Sequence, residues 1–497
     1  MKISGKSWIG YENSSYSKLP FHVILPESQK KSDYIFHEVS TQEIDNAVEK
    51  AEKAFKTYRN IDSSLKADFL KNIALSLNQY RELLIQTFCE ESALPRERAN
   101  QELDRTIYQL NLFSTCIKND DWKVVKNNFN TLDIEIKSGV DLEKKLIPIG
   151  SVVVFTASNF PFAYSTIGGD VTAALAAGCP VIVKSHYMHA GTGDLVSQVV
   201  LQEAKKLGLP DGVFSNLNGF SNDFGKYLVQ KEGVKMLTFT GSYKGGKAIQ
   251  QYINDRQEWI PFFAEMGSVN PIFIADLEDN KEINLQKIAS SIANNAGQFC
   301  TNPGLIFCLN TDIFKELSIK LTQLLSLEES KNMLHFQIRE KFLQKVKILK
   351  NKKSSVTLLD ENSENSIKLK PILLSMKVED FLSDPSFHEE VFGSFTILVE
   401  CNSINDFEKT AHHLKGQITC SIFLTQKQQE EFHDFIDNLA YRCGRIVKND
   451  VPTGVTVHQA MHHGGPFPAS SDSRFTAVGP DSIYRFLRPV CYQGFNK

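Results

Sequence analysis

Residues 151–184 read SVVVFTASNFPFAYSTIGGDVTAALAAGCPVIVK and contain two apolar runs on either side of a stretch of small residues. A β-branched apolar run at 152–157 is followed by small residues at 167–177 that end at Gly178, and then by a second apolar run at 181–184. Glycine is a common helix end because it adopts a left-handed backbone without strain. The stretch therefore predicts a strand, a helix and a second strand parallel to the first.

The alternation continues toward the carboxyl terminus. Helical patterns at 192–207 and 245–253 alternate with strand-like runs at 213–217 and 235–240. Strands that alternate with helices at this spacing indicate a parallel sheet that is covered on both faces. Sheets of this kind bind ligands beyond the carboxyl ends of their strands.

The flanking regions extend the α/β pattern. The first hundred or so residues are predicted to be mainly helical, and Ser40 and Glu43 have the spacing of a capping box. Two alternating stretches, 130–137 and 141–149, predict a hairpin. A second α/β pattern runs from about residue 267 to residue 447.

The composition is that of an ordinary globular protein. The chain has 497 residues, of which 42% are hydrophobic and 23% charged, and its formal net charge of -3 gives no electrostatic case for nucleic acid or an anionic membrane. No apolar run reaches the ~18 residues of a spanning helix, so we expect a cytoplasmic protein. Nine dispersed cysteines without a C-x-x-C pair indicate reduced thiols.

A glycine-rich segment follows the predicted strand at 235–240. Residues 241–246, Gly-Ser-Tyr-Lys-Gly-Gly, open a helix, where free backbone N–H groups attract phosphate. A phosphate-loop nucleoside triphosphatase needs Ser or Thr after its lysine to hold magnesium, and here Ala248 follows Lys247. The segment is therefore either an anion-binding turn of another kind or a turn without a ligand.

Three polar residues stand in contexts that suit catalysis. Cys300 lies where a helical pattern meets a loop broken by Pro303, Glu265 lies among apolar neighbours that raise the pKa of a carboxyl group, and Asn159 follows the first strand. By local context alone each has an ordinary alternative, namely a packed thiol, a salt-bridged carboxylate and a turn residue.

Three histidines near the carboxyl terminus are candidate metal ligands. His458 and His462 have the i, i+4 spacing of such ligands, and His463 is adjacent. The stretch lacks the H-E-x-x-H signature, and Gly and Pro crowd its downstream side, so no metal site is predicted.

The order of the polar motifs resembles the aldehyde dehydrogenase superfamily from about residue 40 to the end. An ending in which Gly-Gly-Pro-Phe-Pro at 464–468 replaces the usual Pro-Phe-Gly-Gly is similar to one subgroup, the 2,5-dioxovalerate (α-ketoglutarate-semialdehyde) dehydrogenases. The superfamily motifs are Asn159, Lys184, Phe-Thr-Gly-Ser at 239–242, Glu-Met-Gly at 265–267, Gly-Gln-Phe-Cys at 297–300 and Glu-Glu-Val-Phe-Gly at 389–393.

The resemblance implies an α/β fold with three parts and a homodimer or homotetramer. A Rossmann-like cofactor domain with a parallel sheet would take residues 1–129 and 147–265, and an α/β catalytic domain residues 266–470. Residues 130–146 and 471–497 would form a β oligomerisation arm.

The resemblance also implies roles for the three catalytic candidates. Cys300 would add to the aldehyde carbon, with the oxyanion stabilised by the Asn159 amide and the Cys300 backbone N–H. Hydride transfer to a nicotinamide would leave a thioester, which a water activated by Glu265 would hydrolyse. A non-catalytic relative and a cysteine hydrolase without a cofactor are the alternatives, and the intact catalytic positions count against the first.

For the cofactor, the resemblance implies NADP as the preferred form, or NADP and NAD alike. Superfamily members that favour NAD commonly carry Glu three residues after the strand-end lysine, and this chain has Tyr187 there. Lys184 and His186 could then attract a 2′-phosphate. The positions that match cofactor contacts are Lys184, His186, Gly241, Ser242, Gly246, Glu390 and Phe392.

For the substrate, the subgroup resemblance implies a short aldehyde with a distal carboxylate, best 2,5-dioxopentanoate, with succinic or glutaric semialdehyde as the alternative. A buried carboxylate needs a cationic or hydrogen-bonding partner. Arg105 and Arg474 are the candidates for this clamp, and each has the alternative of an ordinary salt bridge.

Overall fold

The stretch at 151–184 folds as its sequence predicts. The computed structural model, which describes residues 1–17, 19–119, 121–126, 142–277, 280–309, 311–363 and 366–495, has a strand at Ser151–Phe155, a helix at Gly169–Ala177 and a strand at Val181–Lys184. Gly178 ends the helix in the left-handed conformation, with φ +96°. The predicted α/β class is confirmed.

The first seven-stranded sheet is built around this unit. Five of its strands are mutually parallel, and two short amino-terminal strands close one edge in antiparallel fashion. Their order across the sheet is Phe262–Glu265, Val234–Thr240, Ser151–Phe155, Val181–Lys184, Phe214–Leu217, Ser7–Ile9 and Glu12–Ser14.

The strand order reverses at the centre of the first sheet. From Ser151–Phe155 the chain moves outward through Val181–Lys184 in one direction, and it later returns to the other side with Val234–Thr240. At such a switch point the loops that follow the two central strands diverge to opposite faces and leave a crevice. The loops that carry Asn159 and Ser242 therefore border one crevice.

The second seven-stranded sheet lies in the carboxyl-terminal half. It is parallel except for one antiparallel edge strand, and its core contains the stacked pair Phe273 and Phe307, with ring centroids 5.0 Å apart. Its strands, in order across the sheet, are Val356–Leu359, Ile372–Lys377, Phe395–Cys401, Leu305–Leu309, Ile272–Ile274, Gln417–Phe423 and Cys443–Lys448.

Helices cover both sheets. The predicted capping box at Ser40 and Glu43 is confirmed, but residues 7–37 form short strands that the helical prediction missed, because two- and three-residue strands have no periodicity. Within the described ranges, no helix is long and apolar enough to cross a membrane.

The helices beside the first sheet are Thr41–Tyr58, Ser63–Gln79, Arg81–Ser92, Arg96–Cys116, Gly169–Ala177, Ala190–Lys206, Asn222–Val229 and Tyr243–Asn254. Those of the second half are Lys281–Ala293, Thr311–Ser326, Phe336–Lys350, Val378–Ser383, Ile404–His413, Gln426–Glu431 and His433–Ala440.

A three-stranded antiparallel sheet joins the chain's tail to its middle. Leu142–Pro148 lies between Leu487–Gln493 and Val124–Lys126. The predicted strand at 141–149 is therefore present, whereas the one at 130–137 lies outside the described residues. The domain boundaries, and the role of this sheet in a homodimer or homotetramer, stay predictions.

Candidate active site

A cavity of about 520 Å³ opens at the carboxyl ends of the first sheet, against the helix Phe336–Lys350. Gly246 lies behind its wall, where a Cβ would approach the Met266 Sδ to 2.5 Å, and neither Arg105 nor Arg474 is among the lining residues. The sequence-predicted residues that line it are Asn159, Lys184, His186, Gly241, Ser242, Glu265, Cys300, Glu390 and Phe392.

Cys300 reaches the cavity from a tight turn after the helix Lys281–Ala293. Gly297 has φ +65°, and a Cβ on it would lie 2.3 Å from the carbonyl carbon of Gly393. This contact explains the glycine at 297, whereas a Cβ on Gly393 would lie 2.5 Å from the Phe342 ring. On the other side, the Asn270 side-chain amide donates to the carbonyl oxygens of Cys300 at 2.8 Å and Asn302 at 3.0 Å, which holds the nucleophile's loop in place.

Asn159 comes to Cys300 from the other half of the molecule. Its Nδ2 donates to the Gln298 carbonyl at 3.0 Å, two residues before the thiol. The next residue, Phe160, packs edge-on against Phe299, with ring centroids 5.7 Å apart. An amide donor therefore stands beside the thiol, where an oxyanion would form on addition to a carbonyl group.

Glu265 and His463 form a buried pair beside the thiol. His463 Nε2 lies 2.9 Å from Glu265 Oε1 and 3.8 Å from Cys300 Sγ. The second carboxylate oxygen, Oε2, is buried without a hydrogen-bond partner in the part of the chain that the structure describes. The carboxylate thus keeps an unused acceptor next to the nucleophile, as a base that activates water requires.

The electrostatic surroundings of Glu265 shift its pKa in the direction opposite to the one that the sequence predicts. Burial raises the pKa of Glu265, as the sequence predicts, but His463 and then Cys300 outweigh burial, so the pKa is lowered. The predicted upward shift is therefore wrong. Burial, followed by Glu265 and Glu390, raises the pKa of Cys300 well above its ordinary value, so the thiol is protonated at rest.

Two partly buried charged side chains, Lys184 and Glu390, also line the cavity. Burial lowers the pKa of Lys184 to about 8 and raises that of Glu390 to about 7. Neither forms a salt bridge with any residue that the structure describes, and a Cβ on Gly267 would lie 1.9 Å from Glu390 Oε2. Charged side chains without a salt-bridge partner in the protein can form hydrogen bonds with the hydroxyl groups of a bound sugar.

A helix begins at the far end of the cavity. Ser242 Oγ caps the helix Tyr243–Asn254 by accepting from the Gly245 N–H at 3.2 Å. His186 stacks on Tyr187 at 5.0 Å, and burial holds the pKa of His186 well below its usual range. A neutral His186 brings no charge, so attraction for a phosphate there comes from Lys184.

The two predicted substrate arginines are placed very differently. Arg474 is 79% exposed and pairs with Asp472 two residues away, with 2.6 Å between Nη2 and Oδ2. Arg105 donates to the Val455 carbonyl and to Tyr164, whose ring centroid lies 6.3 Å from that of His463. The structure therefore brings Arg105, but not Arg474, toward the thiol.

Local sequence reasoning missed three residues of this region. Arg445 lies on the strand Cys443–Lys448, donates to the Thr419 hydroxyl at 3.3 Å, and interacts electrostatically with Cys300. No motif marks Arg445. Asn270 and His463 lie in stretches that resemble the subgroup, at 264–271 and 461–466, but the resemblance gives neither of them a role in the site.

The fold and the site define an α/β protein with a cysteine thiol, a carboxylate and an amide at a crevice of the dinucleotide-binding kind. The aldehyde dehydrogenase family model matches residues 12–476, and the chain belongs to that family. Its members are oxidoreductases that act on aldehydes, so this membership favours the enzyme over the hydrolase and the non-catalytic relative.

The chain is also similar to individual aldehyde dehydrogenases. The chain is 34% identical to an alpha-ketoglutaric semialdehyde dehydrogenase of Acinetobacter baylyi, over 99% of this chain and 94% of the relative. Among solved structures, betaine aldehyde dehydrogenase of Staphylococcus aureus with NAD+ has a TM-score of 0.86 at 16% identity, with 99% and 96% of the two chains covered. NADP-dependent glyceraldehyde-3-phosphate dehydrogenase of Bacillus halodurans with NADP has a TM-score of 0.84 at 17% identity, with 98% of each chain covered.

Proposed function

We propose that the enzyme oxidises a short semialdehyde with a distal carboxylate, best 2,5-dioxopentanoate, to the corresponding acid, with a nicotinamide cofactor. The observation that carries the proposal is the placement of Arg105 and Arg445. Both lie close to Tyr164, and neither forms a salt bridge within the described ranges. The Acinetobacter baylyi relative, named for the same semialdehyde, supports it.

The two arginines suit a carboxylate because the groups that accept their hydrogen bonds are neutral. Arg105 donates to the Val455 carbonyl, and Arg445 to the carbonyls of Pro452 and Gly454. A guanidinium held by carbonyls keeps its full positive charge and its orientation. A carboxylate that enters between them would form charge-assisted hydrogen bonds, with the aldehyde end directed to Cys300.

Around the reacting carbon, each residue has a defined task. The Cys300 thiol releases its proton to solvent, Sγ then forms the bond to the aldehyde carbon, and the Asn159 amide donates to the oxygen that becomes negative. The buried carboxylate of Glu265 accepts a proton from the water that hydrolyses the thioester. One oxyanion donor is typically worth about 3 kcal/mol of barrier.

The nicotinamide cofactor would lie in the crevice at the switch point and supply hydride acceptance when bound. Lys184 and Glu390 would hold its riboses, and Ser242 with Gly241 its pyrophosphate at the helix start. Phe392 would pack near the nicotinamide. Lys184 and Glu390, which line the cavity without a salt bridge to any described residue, are the structural feature that fits such a ligand.

The substrate proposal predicts a selective loss in two variants. Arg105→Ala and Arg445→Ala are each expected to lower kcat/KM for 2,5-dioxopentanoate at least about thirtyfold, or ~2 kcal/mol, because a buried carboxylate loses a partner. Hexanal, which has no carboxylate, should be a poor substrate whose kcat/KM changes little. Specificity constants for both aldehydes, and for succinic and glutaric semialdehyde, provide the measurement.

Arg474→Ala is the matched control for this test, since Arg474 is exposed and pairs with Asp472. It should leave all four specificity constants within about twofold of the wild type. If wild-type enzyme prefers hexanal, the carboxylate clamp does not exist. Equal losses for hexanal and dioxopentanoate in both variants would show that the arginines support the fold rather than the substrate.

For the cofactor, we propose that NADP is preferred or that both forms are accepted. Position 187, where a carboxylate would repel a 2′-phosphate, is a tyrosine whose hydroxyl bonds to Gln337 at 3.0 Å. Tyr187→Glu is expected to lower kcat/KM for NADP at least about tenfold relative to NAD, by like-charge repulsion.

Tyr187→Gln is the uncharged control for that variant and should keep the wild-type ratio of the two specificity constants. Initial rates at varied NAD and NADP concentration give the ratios. A wild-type preference for NAD above about a hundredfold, or ~3 kcal/mol, would refute the proposal.

A further inference from the structure

Three metal-binding side chains meet at the reacting centre. Glu265 Oε1, Cys300 Sγ and His463 Nε2 all lie within 4.8 Å of one another. Glu265 and His463 are buried, and Cys300 is partly exposed to the cavity. The cluster is therefore enclosed by protein on one side and reachable from the cavity on the other.

The donor set and its spacing suit zinc. Thiolate, imidazole and carboxylate are the ligands that Zn²⁺ takes in proteins, at about 2.3, 2.0 and 2.1 Å, which in a tetrahedron places donor atoms about 3.4–3.6 Å apart. The imidazole nitrogen lies 3.8 Å from the sulfur and 2.9 Å from the carboxylate oxygen. Shifts of about half an ångström bring both separations to the tetrahedral values.

The three ligands can make these shifts independently. Glu265 ends the strand Phe262–Glu265, Cys300 lies in the loop after the turn Asn294–Gly297, and His463 belongs to a segment held by its backbone N–H, which donates to Thr476 Oγ1 at 2.9 Å. Glu265 Oε1 lies 2.9 Å from His463 Nε2, and Cys300 also interacts with this carboxylate, so a small rotation keeps the carboxylate beside both other ligands.

We propose that Cys300, Glu265 and His463 form a zinc site, and that Zn²⁺ bound there reversibly inhibits the enzyme. The metal replaces the hydrogen atom between His463 Nε2 and Glu265 Oε1, and the imidazole then carries its proton on Nδ1. The Cys300 thiol releases its proton to solvent and binds as thiolate. The fourth position faces the cavity, where a water completes the shell.

Inhibition follows directly from the identity of the ligands. Zinc occupies the sulfur lone pair that attacks the aldehyde, and by binding the Glu265 carboxylate it withdraws the negative charge that activates water. A chelator that removes the metal restores both groups without covalent repair. His463 makes this site different from a lone thiol, because a cysteine and a carboxylate alone provide only two ligands.

Cobalt titration of the full-length, metal-free enzyme tests the site without substrate or cofactor. Co²⁺ should bind wild-type protein at one equivalent with a thiolate-to-cobalt charge-transfer band, and Zn²⁺ should displace it. In His463→Asn the band should be lost, and the zinc concentration for half-inhibition should rise at least about tenfold. Because no aldehyde is present in the cobalt titration, its result is independent of the proposed substrate.

Two further variants make the cobalt result specific. His462→Asn changes the neighbouring histidine, which is outside the cluster, and should keep the one-equivalent binding and the band. His463→Cys supplies another soft ligand at the same position and should restore the band that His463→Asn loses. The proposal is overturned if wild-type enzyme shows no one-equivalent band, or if His463→Asn binds Co²⁺ and responds to Zn²⁺ as the wild type does.

Discussion

Cys300→Ala is expected to abolish aldehyde oxidation, with kcat/KM at least about ten-thousandfold lower, while cofactor binding stays nearly intact. Loss of a nucleophile of this kind typically costs even more, because no other group can form the covalent intermediate. Among the cysteines that the structure describes, Cys300 is the one that lines the cavity. The cofactor contacts proposed for Lys184 and Glu390 do not involve its sulfur.

Reduced-cofactor absorbance measures the activity of this variant, and quenching of protein fluorescence measures cofactor affinity. Cys116→Ala is the matched control, because Cys116 is an exposed thiol at the end of the helix Arg96–Cys116. It should retain wild-type kinetics. Substantial turnover by Cys300→Ala would rule out the thioester route, and a parallel loss of cofactor affinity would indicate a collapsed site instead.

Glu265→Gln is expected to slow the steady state by about a hundredfold to ten-thousandfold, the usual range for a lost general base. The first-turnover burst should persist, because thioester hydrolysis needs an activated water, whereas formation of the thioester needs only a Cys300 thiol that has released its proton to solvent. The amide of glutamine has nearly the same shape and still accepts from His463 Nε2, so the packing of the pair is kept. What the variant loses is the carboxylate's capacity to take a proton.

Stopped-flow absorbance of the reduced cofactor separates the burst from the steady state in one trace. Glu49→Gln is the control, since Glu49 is an exposed carboxylate that pairs with Lys53, and both phases should remain unchanged. An undiminished steady-state rate in Glu265→Gln would refute the role of Glu265. Equal slowing of burst and steady state would place its function before the thioester.

Most of the fold is encoded in local patterns. The β-branched runs, the small-residue helix and Gly178 at 151–184 predict their own strand, helix and helix end, because each depends on side chains within a few positions of one another. The candidates Asn159, Glu265 and Cys300 are also found locally, since each directly follows or ends an element of the α/β pattern, at the edge where such sheets bind ligands. The short strands at 7–37 were missed because they have little pattern of their own and form by pairing, Ser7–Ile9 with the distant Phe214–Leu217 and the others with one another.

The side chains that surround Asn159, Glu265 and Cys300 come from distant parts of the chain, so only the packing of the folded protein shows which they are. His463 meets Glu265 across 198 positions and Cys300 across 163, and this contact reverses the direction of the pKa shift at Glu265. Arg445 approaches the thiol because strand pairing in the second sheet places it there, and the pairing of Arg474 with Asp472 keeps Arg474 at the surface. A pKa or a substrate clamp depends on which charges are within a few ångströms, and for segments this far apart in the chain that distance is set by packing rather than by sequence spacing.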